Sequence, residues 1–153
     1  MIDTPQIVQT EAVAAAVLRM TVPRAEIKLA MGNGMKELLQ TVNDQKVLMA
    51  GAIFSHHFQM DPARFDFEIG VPVKSVVRAA GRVRPGSLPA ARVARTVYHG
   101  GYEGLGAAWG EFEQWLKANG HTPAPDLWEV YVAGPESSPD PAAWRTELNR
   151  PLV

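Results

Sequence analysis

Two stretches of the chain, roughly half its length apart, are near copies of each other. Residues 61–73 read DPARFDFEIGVPV, and residues 140–152 read DPAAWRTELNRPL. Both fit the pattern D-P-A-x-aromatic-x-x-E-[I/L]-x-x-P-[V/L], at an offset of 140 − 61 = 79 in a chain of 153 residues. A match at this distance indicates one supersecondary unit used twice. The repeat therefore predicts a single domain with two related halves, at about 1–76 and 87–153.

A second, shorter match lies upstream of each copy. Residues 30–32 with Leu38 correspond to residues 108–110 with Leu116, at an offset of 109 − 31 = 78. One insertion or deletion would therefore separate the helical part of the unit from its strand part.

Composition limits the classes of protein that the chain can belong to. With 153 residues, 46% of them hydrophobic, the chain is long enough for one well-buried core. The absence of cysteine excludes disulfides and thiolate chemistry. A net charge of −1 with scattered Lys and Arg gives no support for nucleic-acid binding. The chain has no uninterrupted apolar run of about 18 residues, and its N-terminus lacks the basic start and apolar middle of a signal peptide, so we expect a soluble, cytoplasmic protein without membrane contact.

Hydrophobic periodicity predicts a helix and three strands in the first half. The predicted strands are Gln6–Met20, Val47–Phe58 and Phe65–Val73, and the helix runs from after Pro23 to about Val42. Gly32 and Gly34 disfavour this helix, since each costs up to about 1 kcal/mol relative to Ala. A bare backbone that sits close to a sheet would explain them.

The second half repeats this order. Strands are predicted at Ala91–His99, Trp128–Ala133 and Trp144–Leu148, with a helix from about Tyr102 to Asn119 and a connector at Val77–Leu88. Two βαββ units of this kind predict an α+β fold with one mostly antiparallel sheet, because neither unit can bury a sheet face alone. Both helices would lie on one face, and a ligand cleft would lie on the other.

Three motifs resemble the GyrI-like domains, which are related to the effector-binding modules of MerR-type and AraC-type regulators. They are FDFEIGVPV at 65–73, HGGYEGL at 99–105 and WEVY at 128–131. The resemblance covers nearly the whole chain. It implies a tandem βαββ fold and a central pocket for amphipathic, often cationic, aromatic compounds, with Glu129 in the pocket. Some free-standing members hydrolyse cyclopropane-bearing genotoxins. No DNA-binding helices precede the domain, so the regulator role is not expected.

Strand alternation gives an independent prediction for Glu129. Glu129 and Tyr131 point to one side of their strand, and Trp128 and Val130 point to the other. If the apolar side faces the helix, the carboxylate and the phenol enter the cleft. A carboxylate among aromatic walls gains most when a cation or a hydrogen-bond donor arrives. The alternative is a wet sheet edge where Glu129 pairs with an arginine.

Other candidate ligand-binding residues have equally ordinary structural explanations. Glu68 and Glu147 occupy equivalent repeat positions and should point away from the core, either towards the cleft or onto a solvated face. Tyr98 and Tyr102 flank the start of the second helix, where each could contact a ligand or simply pack. Trp109 lies at helical spacing with core residues and is interpreted mainly as core. Arg19 and Arg95 could pair with these acids, although an exposed edge would explain them too.

The histidines form no predicted metal site. His56 and His57 are adjacent on a strand and face opposite ways, which does not suit two ligands of one metal, although one could face the cleft. His99 could act as a general base but is interpreted as a turn residue, and His121 as solvated. The sequence therefore predicts no metal and no cofactor.

Three functional hypotheses remain. The first is a small-molecule binding protein that sequesters or senses its ligand, with Glu129 as electrostatic anchor and tyrosines and tryptophans as walls. The second is a hydrolase that adds water to a strained cyclopropane, in which Glu129 activates water and Tyr98 or Tyr131 stabilises the oxyanion. The third is a haem carrier, for which His56 is the first candidate ligand.

Overall fold

Eight strands and two α-helices form within residues 1–60 and 62–153, the part of the chain that the computed structural model describes. The elements are β1 Gln6–Gln9, β2 Val13–Pro23, α1 Ile27–Asp44, β3 Phe54–Met60, β4 Arg64–Pro72, β5 Val83–Leu88, β6 Arg92–His99, α2 Leu105–Ala118, β7 Leu127–Ala133 and β8 Arg145–Pro151. Short 3-10 turns cover Arg24–Glu26, Tyr102–Gly104 and Pro141–Ala143. The predicted α+β class and the two βαββ units are confirmed. Asp61, the first residue of the repeat, lies outside the described residues.

The chain divides into two compact units. One contains residues 11–90, and the other contains residues 1–10 together with 91–153. This division differs from the predicted halves at 1–76 and 87–153, because β1 pairs with β6 rather than with the strands that follow it. The predicted strand Gln6–Met20 is therefore two strands, which belong to different units.

In the unit of residues 11–90 the strands pair antiparallel in the order β3-β4-β2-β5. The helix α1 packs on one face of this sheet, and its buried residues are Gly34, Leu38 and Val42. The facing strand residues include Leu18, Phe67 and Ile69, all fully buried. Each such side chain contributes about 1.5–3 kcal/mol on burial.

Gly34 has the role predicted for a helix glycine close to a sheet. A Cβ at position 34 would lie 2.8 Å from Ile69 Cδ1 and 2.9 Å from Met20 Cε. Gly32 is different, since nothing lies within 4 Å of a Cβ placed there. Close packing therefore explains one of the two glycines and not the other.

In the unit of residues 1–10 and 91–153 the strands pair antiparallel in the order β1-β6-β8-β7. The helix α2 buries Ala108, Phe112 and Leu116 against one face of this sheet. Leu148 of β8 belongs to the same core. The side of β8 that carries Leu148 is therefore the helix-facing side of the unit.

The predicted connector Val77–Leu88 contains an additional strand, β5, that was not predicted. β5 pairs along β2, with Pro85 opposite Ala16 and Gly86 opposite Ala15. Proline and glycine are tolerated here because β5 has a hydrogen-bonded neighbour on one side only within this unit. A Cβ at position 86 would lie 2.7 Å from Val17 Cγ2, so glycine permits the close approach.

The two units fill equivalent interior positions with different side chains. By the repeat offsets, position 146 − 79 = 67 on the strand and position 112 − 78 = 34 on the helix correspond. One unit combines Phe67 on the strand with Gly34 on the helix, and the other combines Thr146 with Phe112. All four are buried. Each of these repeat positions therefore carries a large buried side chain in one unit and a small buried residue in the other.

Candidate ligand-binding site

Glu129 lies on the helix-facing side of β7, with its side chain 8% exposed. Its cross-strand neighbour is Leu148, which belongs to the core beneath α2. The indole Nε1 of Trp109, on α2, donates to Glu129 Oε2 at 2.7 Å, and the hydroxyl of Tyr131 donates to Oε1 at 2.9 Å. Both donors are uncharged, so they orient the carboxylate and stabilise it without neutralising its charge.

The face of the sheet that carries Glu129 is the reverse of the predicted one. Trp128 and Val130 were expected on the helix side and Glu129 on the other side, whereas Glu129 contacts α2 directly. The β8 register explains the difference, because Val130 pairs with Glu147 and Glu129 pairs with Leu148. The predicted outward orientation of Glu147 already contained this signal, since cross-strand partners share a face.

Three aromatic rings continue outward from the Glu129 carboxylate. The ring of Tyr102 lies edge-on to Tyr131, with centroids 5.9 Å apart, and its other neighbour is Trp144 at 5.1 Å. Tyr102 is 37% exposed, and Tyr131 and Trp144 are half-buried. Aromatic faces beside a carboxylate attract organic cations through the ring quadrupole. We call Tyr102, Tyr131 and Trp144 the aromatic wall.

A second carboxylate, Glu136, lies beside the wall. A Cβ at Gly134 would lie 2.5 Å from Tyr102 Oη and 2.9 Å from Glu136 Oε2, so the phenol and this carboxylate approach the same backbone segment. Burial, then the negative charges of Glu136 and Glu129, raise the pKa of Tyr102 above its ordinary value. Glu136 was not predicted, because a polar residue in a loop carries no periodic signal.

Tyr98 lies in the core of its unit. It is 7% exposed, and its hydroxyl donates to the carbonyl of Gly101 at 2.8 Å. A Cβ at Gly104 would lie 2.0 Å from the same hydroxyl, so the glycine-rich turn fits closely around the phenol. The tyrosine that donates to Glu129 is Tyr131 rather than Tyr98.

Glu147 lies on the face of the sheet opposite α2, as predicted. Arg95 Nε is 3.3 Å from Glu147 Oε1, and Asn149 Nδ2 donates to the same oxygen at 3.1 Å. Arg95 also donates to Asn149 Oδ1 at 2.7 Å. The structure therefore pairs Arg95 with Glu147, one of the arrangements considered from the sequence, and separates Glu147 from the face that carries Glu129.

Glu68 and His56 belong to the unit of residues 11–90, where they are cross-strand partners on β4 and β3. Burial raises the pKa of Glu68 above its ordinary value. Arg19 makes its ion pair with Asp66, with Nη2 and Oδ2 3.0 Å apart, rather than with Glu68. Within this unit, the predicted ligand-binding role of Glu68 and His56, and the haem hypothesis with it, stay predictions.

His57 occupies the position that corresponds to Tyr131. Both residues precede a register shift, and their partners on the next strand are Phe67 and Thr146, which are equivalent in the repeat. His57 Nε2 lies 3.1 Å from Ser55 Oγ, as Tyr131 lies beside Glu129. Burial, together with the neighbouring positive groups, lowers the pKa of His57 to about 4. The acid at this position is therefore present in one copy of the unit and replaced by serine in the other.

The remaining histidines are half-buried and have other partners. His99 Nε2 is 2.7 Å from Asp3 Oδ1, and His121 stacks on Trp115 with centroids 5.6 Å apart. Within the described part of the chain, His, Asp and Glu side chains form no group of three or more that could hold a metal ion. Among the same residues, neither helix has the length and apolarity that a bilayer span requires.

Comparison with known proteins supplies a family and a fold. The family model described as GyrI-like small molecule binding domain matches residues 3–152. No curated protein matches the sequence. The crystal structure of the EcmrR C-terminal domain aligns with a TM-score of 0.83 at 20% identity, covering 98% of this chain and 97% of that one. The EcmrR chain in the EcmrR–DNA complex is longer than this chain. Its alignment covers 97% of this chain but only 57% of the EcmrR chain.

Two further solved structures share the fold. A protein from Listeria innocua described as a hydrolase aligns with a TM-score of 0.70 at 10% identity, covering 97% of this chain and 91% of that one. SAV2435 bound to tetraphenylphosphonium aligns with a TM-score of 0.68 at 11% identity, covering 99% and 94% respectively. At these identities the likeness concerns the fold alone.

Proposed function

Because the chain belongs to the GyrI-like small molecule binding domain family, we propose that it binds amphipathic aromatic cations, which it sequesters or senses. The observation that carries this proposal is the Glu129 carboxylate, 8% exposed and held by Trp109 and Tyr131. A cation placed beside this group exchanges water for a charge-charge contact in a poorly hydrated setting. SAV2435, which shares the fold, binds a cation of this kind, tetraphenylphosphonium.

The aromatic wall supports the same ligand class. Tyr102 is partly exposed and continues through Tyr131 to the carboxylate. A flat or multi-ring ligand would bury apolar area against these rings, and its positive charge would favour their faces. A neutral or anionic ligand would gain no charge attraction at Glu129.

Titration with tetraphenylphosphonium, followed by calorimetry, tests the proposal. Glu129→Gln keeps the shape of the side chain and removes its charge, so affinity should fall about 10-fold to 100-fold. Glu111→Gln, which neutralises an exposed acid on α2, should leave affinity unchanged. Circular dichroism checks that both variants fold. Equal affinity in the Glu129→Gln variant and the unmodified protein would refute the electrostatic anchor.

A hydrolase is the second candidate, favoured by the Tyr131–Glu129 hydrogen bond of 2.9 Å. A phenol beside a carboxylate could stabilise a developing oxyanion while the carboxylate accepts a proton from water. In the overall reaction, one strained carbon–carbon bond of the ring breaks. The water oxygen bonds to one of these two carbons, and a proton is delivered to the other carbon.

Mass spectrometry of a cyclopropane-bearing alkylator incubated with the protein tests this candidate. Enzymatic ring opening should exceed the rate in buffer and should be lost in Glu129→Gln, with Tyr131→Phe reducing it. If the unmodified protein and the Glu129→Gln variant both gave the rate measured in buffer, the hydrolase hypothesis would be rejected. The binding function would be unaffected.

A further inference from the structure

The turn that carries Tyr102 is built around the buried hydroxyl of Tyr98. This hydroxyl donates to the carbonyl of Gly101 at 2.8 Å, and the backbone N–H of Gly104 donates to the same carbonyl at 3.1 Å. A Cβ at Gly100 would lie 2.8 Å from the hydroxyl oxygen, and a Cβ at Gly104 would lie 2.0 Å from it. Glycines on both sides of Tyr102 therefore let the backbone close around one polar group.

The same turn is connected to the aromatic wall. The backbone N–H of Gly100 donates to the carbonyl of Trp144 at 3.2 Å. The ring of Tyr102 contacts the rings of Trp144 and Tyr131, and Tyr131 donates to Glu129. A shift of the turn would therefore move Tyr102 relative to the other two rings of the wall.

The equivalent turn in the other unit forms without such a hydroxyl. Position 98 − 78 = 20 is occupied there by Met20. The strand pairings agree with this offset, because the cross-strand partners of Met20 and Tyr98 are equivalent in the repeat. The 3-10 turn Arg24–Glu26 nevertheless matches the turn Tyr102–Gly104 in place and length. The hydroxyl is thus not needed to form the turn, and it is present in the unit whose turn carries a ring of the candidate site.

We propose that Tyr98 is a positioning residue for ligand binding, whose hydroxyl holds Tyr102 against the other rings of the aromatic wall without contacting the ligand. This inference rests on the proposed function, in which the wall binds an aromatic cation. A ring that is fixed before the ligand arrives loses less conformational freedom on binding than a mobile ring. Loss of the hydroxyl should therefore weaken binding about twofold to tenfold, while the attraction of Glu129 for the cation persists.

Calorimetric titration of the Tyr98→Phe variant with tetraphenylphosphonium tests the proposal. Phenylalanine keeps the ring in the core, and Gly101 still accepts from Gly104, so the variant should fold, which circular dichroism checks. The matched control is Thr96→Val on the same strand, which removes a buried hydroxyl that donates to the Asp3 carbonyl at 2.7 Å. This control loses a comparable hydrogen bond away from the turn, so its affinity for tetraphenylphosphonium should be unchanged.

A double-mutant cycle separates the positioning of Tyr102 from a general structural effect. Tyr102→Ala removes the ring that Tyr98 is proposed to hold. If Tyr98 acts through this ring, Tyr98→Phe should cause no further loss of affinity in the Tyr102→Ala background. Additive losses in the double variant would overturn the positioning role, as would an equal loss of affinity in Tyr98→Phe and Thr96→Val.

The same titrations distinguish failure of this inference from failure of the proposed function. Unchanged affinity in Tyr98→Phe, together with binding that depends on Glu129, would overturn the positioning role alone. Absence of tetraphenylphosphonium binding to the unmodified protein would overturn the proposed function as well.

Discussion

The indole of Trp109 donates to Glu129 Oε2 at 2.7 Å, a hydrogen bond that joins α2 to β7. A charge-assisted bond of this kind contributes about 1.5–3 kcal/mol, and its loss removes one donor from a buried carboxylate. Trp109→Phe, which keeps an aromatic ring, should therefore lower the free energy of unfolding by about 2 kcal/mol. Urea denaturation measures the change, and an unfolding midpoint equal to that of the unmodified protein would contradict the prediction.

The two helix glycines should respond differently to alanine. Gly34→Ala places a methyl group within 2.9 Å of the terminal atoms of the Ile69 and Met20 side chains, which must shift, so the gain in helix propensity is reduced or lost. Gly32→Ala meets nothing within 4 Å and should stabilise the protein by up to about 1 kcal/mol. Thermal unfolding of the two variants distinguishes them, and equal stabilisation in both would show that packing against the sheet does not limit position 34.

Thr146 should tolerate loss of its hydroxyl. Among the described residues it is fully buried, and its Oγ1 has no hydrogen-bond partner. Thr146→Val removes a polar atom that pays a desolvation cost of about 1–3 kcal/mol, so the protein should become more stable. The control is Thr96→Val, which deletes a donor to the Asp3 carbonyl at 2.7 Å and should destabilise. Chemical denaturation gives both signs, and a destabilised Thr146→Val variant would show that the hydroxyl has a partner in solution.

His57 should make stability depend on pH in the mildly acidic range. Its pKa is about 4 in the folded protein, against about 6.5 in an unfolded chain, so the unfolded state binds more protons between these values. Its contribution is complete above about pH 6.5 and is lost as pH falls towards 4, by up to about 3 kcal/mol.

The His57→Phe variant isolates this contribution. Phenylalanine keeps a ring that can stack on Phe67, where the imidazole now lies 5.0 Å away. The difference in unfolding free energy between pH 7.5 and pH 5 should be smaller in the variant than in the unmodified protein. An identical pH dependence would mean that His57 titrates normally in the fold.

The sequence predicted the elements whose signal is local or repeated. The apolar spacing in α1 and α2 and the alternation in β4 placed these elements within a few residues of their observed bounds. The strand β5 was missed because Pro85 and Gly86 are common in turns, and only pairing with β2 gives them a strand conformation. One strand was predicted where β1 and β2 are separate strands, because periodicity does not indicate which neighbour a strand pairs with.

The sequence indicated Glu129 as the central residue of the candidate site, but it did not predict the arrangement of the residues around it. Glu129 and Tyr131 were correctly placed on one side of β7, but the face was reversed because alternation alone has no absolute direction. Trp109 was interpreted mainly as core, although its ring nitrogen contacts Glu129. Helical periodicity predicts which side of α2 carries Trp109, whereas the hydrogen-bond partner of its ring nitrogen depends on tertiary packing.

Gly34 on α1 and Phe112 on α2 occupy equivalent repeat positions, since 112 − 78 = 34. A Cβ at position 34 would already lie 2.8 Å from Ile69 Cδ1, so a phenylalanine ring at this position has no room against the sheet of residues 11–90. A chimaera in which the sequence of α2 replaces that of α1 would therefore need a smaller residue at this position in order to fold.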